Sequence, residues 1–478
     1  MKMENKFMMN DVANLNLDVE VRNKLTFNLS QIVKGRDDVL ETPLARDYGA
    51  DHVISKFNRV FNAKRSEMND VLLSLEEANI AKLGPRSIAK PWEDRRKSLT
   101  DSFDISQFDN HRLNAIPLFG NGTLRPLSLP QAMKLLKNNT NSGLPYLTRK
   151  GLVKERVLKK YDLLLKRKDP CILFTRTQEQ GKTRNVWGYP MADTLNEMRF
   201  YSPLLGIQKR LGYRAALVSP EEVSRRITAL LLKAERRGHI LQSIDFSAYD
   251  TTVSPKLQGL AFDYIKNLFQ PSYSQEIDYI ADRFRTIGIL TPDGILKGEH
   301  GVPTGSTFTN EVDSLVQAIL ATHSGFVTSG DFQIQGDDGV YLLKESDVDA
   351  FLDAFKSFGL DPNRDKSYVS NSYAIYLQNL FHVDYIKDGI IGGIYPIYRA
   401  LNRLLYQERW SDFEDYGIEG KDYYSIRTIC ILENCKNHPL FKELVKFILK
   451  YDKYSLTFSQ TLIAKCQGIL IILKYEFD

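Results

Sequence analysis

Two adjacent aspartates, Asp337 and Asp338, lie in the stretch IQGDDGVYLL between Gly336 and Gly339. Neighbouring carboxylates repel each other, so a turn that displays both outward has a use for a cation, and oxygen ligands of this kind suit Mg²⁺ or Mn²⁺. Read alone, Gly-Asp-Asp is also an ordinary solvated turn. A second acidic pair, Asp245 and Asp250, stands five residues apart in SIDFSAYDTTV, a spacing that suits one carboxylate on a metal and one near a sugar. Cations accompany them. Lys182 and Arg184 are two apart, so on a strand both face one side, and with Arg176 they suit a triphosphate or a nucleic-acid backbone; the plainer alternative is an exposed, charge-balanced hairpin. If Asp245, Asp337 and Asp338 meet, the chemistry open to them is nucleotidyl transfer: one metal lowers the pKa of an attacking hydroxyl, and both stabilise an in-line transition state.

The elements that must position these groups are visible in the periodicity. Phe332 to Gln335 alternates apolar and polar, and Val340 to Leu343 is rich in β formers, which predicts strand, tight turn, strand. Ile240, Ile244 and Phe246 alternate likewise and predict a strand ending at Asp245. Before it, SPEEVSRRITALLLKAERRG reads as a helix with a Ser219 cap, Pro220 in the first turn and acidic residues after it. In GVPTGSTFTNEVDSLVQAILATHSG a glycine loop opens a helix with the apolar stripe Phe308, Val312, Leu315, Val316 and Ile319. Thr309 and Asp313, at i and i+4, share another face, with Asn310 beside them. Such a start offers N–H donors to an anion or a sugar. NNTNSGLPYLTRKG, from Asn138 to Gly151, is a loop whose backbone could approach phosphates, and CILFTRTQEQGKTRNVWGYP reads as a hairpin with a polar tip.

Further helices are predicted from Arg65 to Lys82, from Pro255 to about Arg285, and over SDVDAFLDAFKSFGL. KPWEDRRKSLTDSF reads as an exposed connection and partial helix without assignable chemistry. AIYLQNLFHVDY and GIIGGIYPIY read as short strands, roughly the last eighty residues as mostly helical, and GILIILKY as a packed C-terminal element.

A chain of 478 residues can bury a large core and divides by length into about two to four domains. Its 43% hydrophobic and 26% charged residues are ordinary for a globular protein and argue against global disorder. The net charge of +5 permits a polyanionic partner. The cations are concentrated: between Arg149 and Arg184 there are twelve Lys or Arg against four Asp or Glu, although a solvated helix face accounts equally for the middle of that run. Four cysteines and seven histidines form no zinc pattern, so free thiols in a reducing compartment are expected. No stretch has a signal peptide's apolar core or the roughly 20 apolar residues of a membrane span, so a soluble intracellular protein is expected.

The ordered set DFSAYD, GVPTGSTFT, GDD and the lysine of RDKS resembles viral RNA-dependent RNA polymerases over roughly residues 140 to 410. The details GVPTGSTFTNEVDS and YRALNRLLYQERW look most like those of small double-stranded RNA viruses of the partitivirus and picobirnavirus kind. The resemblance implies an α+β right-hand fold with fingers, a palm built on an antiparallel sheet and a mostly helical thumb. It implies residues 1–70 as an N-terminal extension contributing to fingers and fingertips, 71–187 and 251–300 as fingers, 188–250 and 301–390 as palm, and 391–478 as thumb.

Carried over residue by residue, it makes Asp245 and Asp337 the principal ligands of two Mg²⁺ or Mn²⁺ ions, with Asp338 assisting. Lys366 becomes the general acid for pyrophosphate, and Arg176, Lys182 and Arg184 the guides for NTP phosphates. Asp250, Thr309, Asp313 and Asn310 would select the ribose. Thr304, Gly305 and Ser306 would form a flexible loop beneath the template and nascent pair, and Ser142, Gly143, Pro145 and Tyr146 the loop where template enters. RNA template and product and NTPs are the implied partners, with a viral capsid protein as a further one; no membrane is implied, and the implied location is the host cytoplasm, inside the virion. Two departures are visible: Thr304 stands where many relatives have Ser, and Asp313 where many have Asn, with Asn310 near it. Helical phase favours Asp313 as the substitute. Two rival functions are a catalytically silent capsid or RNA-binding scaffold, against which the four intact groups Asp245, Asp337, Asp338 and Lys366 argue, and a metal-dependent nuclease, which leaves the ribose and phosphate motifs unexplained.

Overall fold

The structure is a computed structural model and describes residues 12–104, 122–410, 413, 417–460 and 462. GILIILKY, Cys466 and residues 1–11 lie outside the described residues. The chain folds around two four-stranded sheets. Strands β1 (Cys171–Thr177), β2 (Thr183–Gly188), β4 (Ile289–Thr291) and β5 (Gly294–Leu296) form one, in the order β2-β1-β4-β5. Strands β3 (Ile240–Ile244), β6 (Phe332–Gln335), β7 (Asp338–Leu343) and β8 (Tyr368–Ser370) form the other, in the order β6-β7-β3-β8 with every pair antiparallel.

Both faces of this second sheet are covered, which accounts for its nearly unbroken apolar strands. Ile240, Ile244, Phe332, Ile334, Tyr341 and Leu343 pack with the helices Pro255–Leu268, Thr309–His323 and Val348–Lys356. Leu241, Val340 and Leu342 point the other way, onto the helix Pro220–Arg237 and the hairpin of β9 (Tyr373–Tyr376) and β10 (Asn379–His382). Successive side chains of VYLL therefore feed two cores in turn.

The described N-terminal residues tie the two ends of the molecule together. The helix Val19–Lys34 buries Val21, Leu25, Leu29 and Ile32 against the first sheet. The helix Ala50–Ala63 buries Val53, Phe57 and Phe61 against the C-terminal helices Ile397–Leu405 and Phe441–Tyr451. Glu76, fully buried on Asp70–Ile80, accepts the backbone N–H groups of Ile397 and Tyr398 at 2.7 and 3.1 Å and contacts His438 Nε2 at 3.0 Å. It thus caps the Ile397–Leu405 helix from across the chain.

Three expectations need revision. The helix expected from Arg65 begins at Asp70, because the Asn69 side chain caps it by accepting the Leu72 N–H after a short 3₁₀ turn. The helix expected over Pro255–Arg285 is two, Pro255–Leu268 and Ser274–Thr286, since Pro271 cannot continue the first and instead opens a 3₁₀ turn. KPWEDRRKSLTDSF is the partial helix expected, but it is not merely exposed. It forms the helix Trp92–Thr100, buries Trp92 and Leu99 against the first sheet, and holds Trp92 Nε1 to Asp293 at 2.7 Å.

Candidate active site

The hairpin β6–β7 turns on Gly336 and Asp337, with Gln335 paired to Asp338. Only the first central residue, Gly336, has positive φ (+64°), which glycine takes without strain. Asp337 is thereby exposed at the tip, while Asp338 begins β7. On the neighbouring strand the last pair is Ile244 with Gly339, so Asp245 falls beside the aspartate pair one step beyond the ladder.

Three carboxylates then share one field. Burial first, then the charges of Asp337 and Asp245, push the Asp338 carboxyl up to about 7. Burial also raises Asp245, with Lys366 opposing and Asp337 reinforcing the shift. Lys366 arrives through the loop after Leu360, which is pinned to the end of β3: Asn363 N donates to the Asp245 carbonyl, and Ser247 N to the Asp361 carbonyl, both at 2.8 Å. This leaves Lys366 Nζ 3.8 Å from Asp245 Oδ2.

Lys182 faces the same group. Burial and the neighbouring Arg184 and Lys366 lower its pKa, and Asp245 and Asp337 resist the change. Arg176 lies directly across β1–β2 from Arg184 but turns to Glu408, 3.9 Å away. Of the three cations named from sequence, Lys182 and Arg184 stand in the field of the carboxylates, and Arg176 is largely exposed near Glu408, whose close partner is Arg86 at 2.6 Å.

The Thr309–His323 helix clamps the hairpin from beneath. Ser314 Oγ accepts the Gly336 N–H at 2.7 Å, Gln317 Nε2 donates to the Gly336 carbonyl at 3.0 Å, and Gln317 Oε1 accepts from the Tyr341 hydroxyl at 2.5 Å. Asn310 Oδ1 accepts from Gln335 at 2.7 Å, so Asn310 serves the hairpin. Asp313 faces Asp250 instead. Burial raises Asp313 far above the usual carboxylate range, and burial also raises Asp250 while the hydrogen bond from Asp313 opposes that rise. Asp313 is thus the protonated partner, donating to Asp250. Thr309 Oγ1 donates to the carbonyls of Pro303 and Ser306 at 2.8 and 3.0 Å, closing the loop onto its helix.

That loop is held on several sides. Val302 N donates to the Asp250 carbonyl at 2.6 Å, and Thr304 Oγ1 to the Asn185 carbonyl at 3.3 Å. Ser306 Oγ and Thr307 N both donate to Glu197, each at 2.7 Å. The loop around Gly143 packs on the exit of β2: Ser142 is fully buried and its carbonyl accepts from Met191 N at 2.8 Å. A Cβ on Gly143 (φ +60°) would lie 2.3 Å from the Tyr189 carbonyl oxygen. Pro145 packs beside Met191 and Pro190 in the same pocket wall, and the Arg156 guanidinium covers the Tyr146 ring at 5.6 Å.

Glu197, Ser314, Gln317 and Glu408 were not picked out from the sequence. Asn310, Ser314 and Gln317 carry a legible signal, since steps of four and three place them on one helical stripe beside the apolar one. Glu197 and Glu408 carry none, because their side-chain partners lie more than a hundred residues away.

The carboxylate set consists of hard oxygen donors whose mutual repulsion a divalent cation would relieve, so the residues fit such an ion. As the side chains stand, no group of three His, Cys, Asp or Glu among the described residues is drawn close enough to hold one.

Residues 120–390 match the family model described as viral RNA-dependent RNA polymerase. The chain is 28% identical over 457 residues to a potential RNA-dependent RNA polymerase of a human picobirnavirus, covering 89% of this chain and 84% of that protein. It is 24% identical over 284 residues to the RNA-directed RNA polymerase of Cryptosporidium parvum virus 1, covering 52% of this chain and 53% of that one. The crystal structure of a human picobirnavirus RNA-dependent RNA polymerase superposes with a TM-score of 0.80 at 26% identity, covering 94% of this chain and 90% of that chain.

Proposed function

We propose, from the premise that the chain belongs to the viral RNA-dependent RNA polymerase family, that it extends RNA 3′ ends by a two-metal mechanism at Asp245, Asp337 and Asp338. Its fold is the right-hand polymerase fold and its activity is RNA-directed RNA synthesis, with RNA template and NTPs as substrates. The observation that carries the mechanism is the shared electrostatic field of the three carboxylates with Lys182 and Lys366.

Asp245, Asp337 and Asp338 would hold two Mg²⁺ or Mn²⁺ ions. When bound, such ions neutralise triphosphate charge and activate a 3′-hydroxyl. In the transfer, the 3′-hydroxyl would lose its proton to solvent as its oxygen bonds the α-phosphorus, and the bond from that phosphorus to the bridging oxygen would break. Lys366 would give its proton to the departing pyrophosphate, and Lys182 and Arg184 would hold the triphosphate in line. Arg176 would join them from its place near Glu408.

Asp250, with the hydrogen bond from Asp313, would accept the ribose 2′-hydroxyl. Thr309 and Asn310 would act one layer back, on the loop and the hairpin. Thr304, Gly305 and Ser306 would support the nascent pair, and Ser142, Gly143, Pro145 and Tyr146 would guide the template. The genome copied would be double-stranded RNA, inside a particle in the host cytoplasm and beside a capsid protein. No helix among the described residues is long and apolar enough to cross a membrane.

The test is incorporation of labelled ribonucleotides on single-stranded RNA with Mg²⁺ or Mn²⁺, comparing the native chain with Asp337→Ala. Template-length product from the native chain alone, abolished by EDTA, is expected. RNA shortening without NTP-dependent growth would favour a nuclease, and no product with either metal, with or without a primer, would favour a silent scaffold.

A further inference from the structure

Glu197 presents an unusual association of burial, charge and position. It lies on the helix Met191–Gln208, it is 3% exposed, and its hydrogen-bond partners among the described residues both belong to the loop that ends at Thr307. Burial pushes its carboxyl up to about 7, against the opposing pull of the hydrogen bonds from Ser306 and Thr307. An apolar side chain of similar size would fill this space without the desolvation cost. What the carboxyl adds is two directed bonds, one to each residue at the loop's exit.

The entrance of the loop is held by the Asp250 and Asn185 carbonyls, and Glu197 supplies the hold at its exit. A Cβ on Gly305 would lie 1.6 Å from the Trp187 carbonyl oxygen, so the loop backbone rides directly on β2. Ser306 Oγ, donating to Glu197, also accepts the Phe308 N–H at 3.0 Å, so the same bond network reaches the start of the Thr309–His323 helix. That helix carries Asp313 and clamps the Asp337 turn.

We infer that Glu197 is a positioning residue for nucleotidyl transfer: by holding Ser306 and Thr307 it sets the height of the Thr304–Ser306 loop, and through the following helix the alignment of Asp250 and the hairpin. The inference rests on the polymerase reading above. Glu197 is buried behind the loop and bonded to Ser306 and Thr307, so its loss should act on turnover more than on nucleotide binding.

The experiment measures kcat and KM for NTP on a primed RNA template for the full chain and for Glu197→Ala, Glu197→Gln, Ser306→Ala and the double variant Glu197→Ala/Ser306→Ala. Glu197→Ala is expected to lower kcat by about tenfold or more with KM changed less than about threefold, the size expected when two buried hydrogen bonds are lost. The amide of Glu197→Gln can accept from Thr307 and donate to Ser306, so it should recover most of the rate. The double variant should be no slower than Glu197→Ala, because both changes remove one interaction. Wild-type kinetics in Glu197→Ala, no recovery in Glu197→Gln, or multiplying effects in the double variant would overturn the inference while leaving the polymerase reading intact. Should Glu197→Ala not fold, Ser306→Ala must show the same split, and its absence is equally decisive. A native chain that makes no RNA would overturn the polymerase reading and this inference with it.

Discussion

Asp313 donates a hydrogen bond to Asp250, carboxyl to carboxyl, with Asp313 almost wholly buried and Asp250 partly so. Two ionised carboxylates cannot share that contact; one proton between them makes it favourable. Burial places the proton on Asp313, and the protonated acid presents the same kind of donor that an asparagine amide would.

Asp313→Asn is therefore expected to keep RNA synthesis, and the preference for ribonucleotides, within about threefold of the native chain. Asp313→Leu removes the donor to Asp250 and should cost about 1.5–3 kcal/mol at that contact, roughly 10- to 100-fold in discrimination. The check is the ratio of kcat/KM for a ribonucleotide and its 2′-deoxy analogue. An unchanged ratio in Asp313→Leu would remove Asp313 from ribose selection.

Glu197 gives a stability prediction of defined sign. Its carboxyl is raised in the folded chain from an ordinary value near 4.5 to about 7. The stability tied to the neutral form is therefore fully present below about pH 4.5 and is lost as pH rises through about 7. Glu197→Gln stays neutral throughout. Relative to the native chain, it should melt at a similar temperature at pH 5 and at a higher one at pH 8, the gap corresponding to at most about 3 kcal/mol. Thermal denaturation at the two pH values reads this directly.

The hairpin clamp predicts the effect of filling Gly339. A Cβ there would lie 2.2 Å from Gln317 Oε1 and 2.7 Å from the Tyr341 ring. Gln317 cannot simply swing aside, since it bonds both the Gly336 carbonyl and the Tyr341 hydroxyl. Gly339→Ala should cost about 1–3 kcal/mol in stability through overpacking and lost hydrogen bonds. Its larger effect should be on rate, because Asp337 rides on Gly336. Denaturant unfolding beside single-turnover incorporation separates the two.

The parts of the site that were legible in the sequence are those set by local period and turn chemistry. The strand–turn–strand around Asp337, the strand ending at Asp245 and the loop that opens the Thr309 helix all follow from alternation, glycine placement and helical phase. What stayed hidden depends on contacts far apart in the chain. Arg176 reads as equivalent to Lys182 and Arg184, yet it lies near Glu408, and nothing local to either residue announces that proximity. The polar surface of KPWEDRRKSLTDSF masked Trp92 and Leu99, two buried residues in a short segment that only the first sheet reveals as core. The two-helix break at Pro271 was written in the sequence, but the helical period on either side concealed it.

In the first turn of the Thr309–His323 helix, Glu311 forms an ion pair with Arg214, both side chains essentially inaccessible, Nη2 to Oε2 at 3.0 Å and Nη1 to Oε1 at 3.3 Å. The bidentate geometry satisfies both carboxylate oxygens, so the pair is tolerable as a unit and costly when halved. Glu311→Leu should destabilise the chain by about 3–5 kcal/mol, because it leaves a guanidinium buried without its counter-ion. Arg214→Met should do the same from the other side. The double variant Arg214→Met/Glu311→Leu buries two apolar chains where a pair of charges stood, and it should unfold closer to the native midpoint than either single variant. Chemical denaturation of the four proteins closes the cycle. Additive losses would mean that the two charges do not depend on each other.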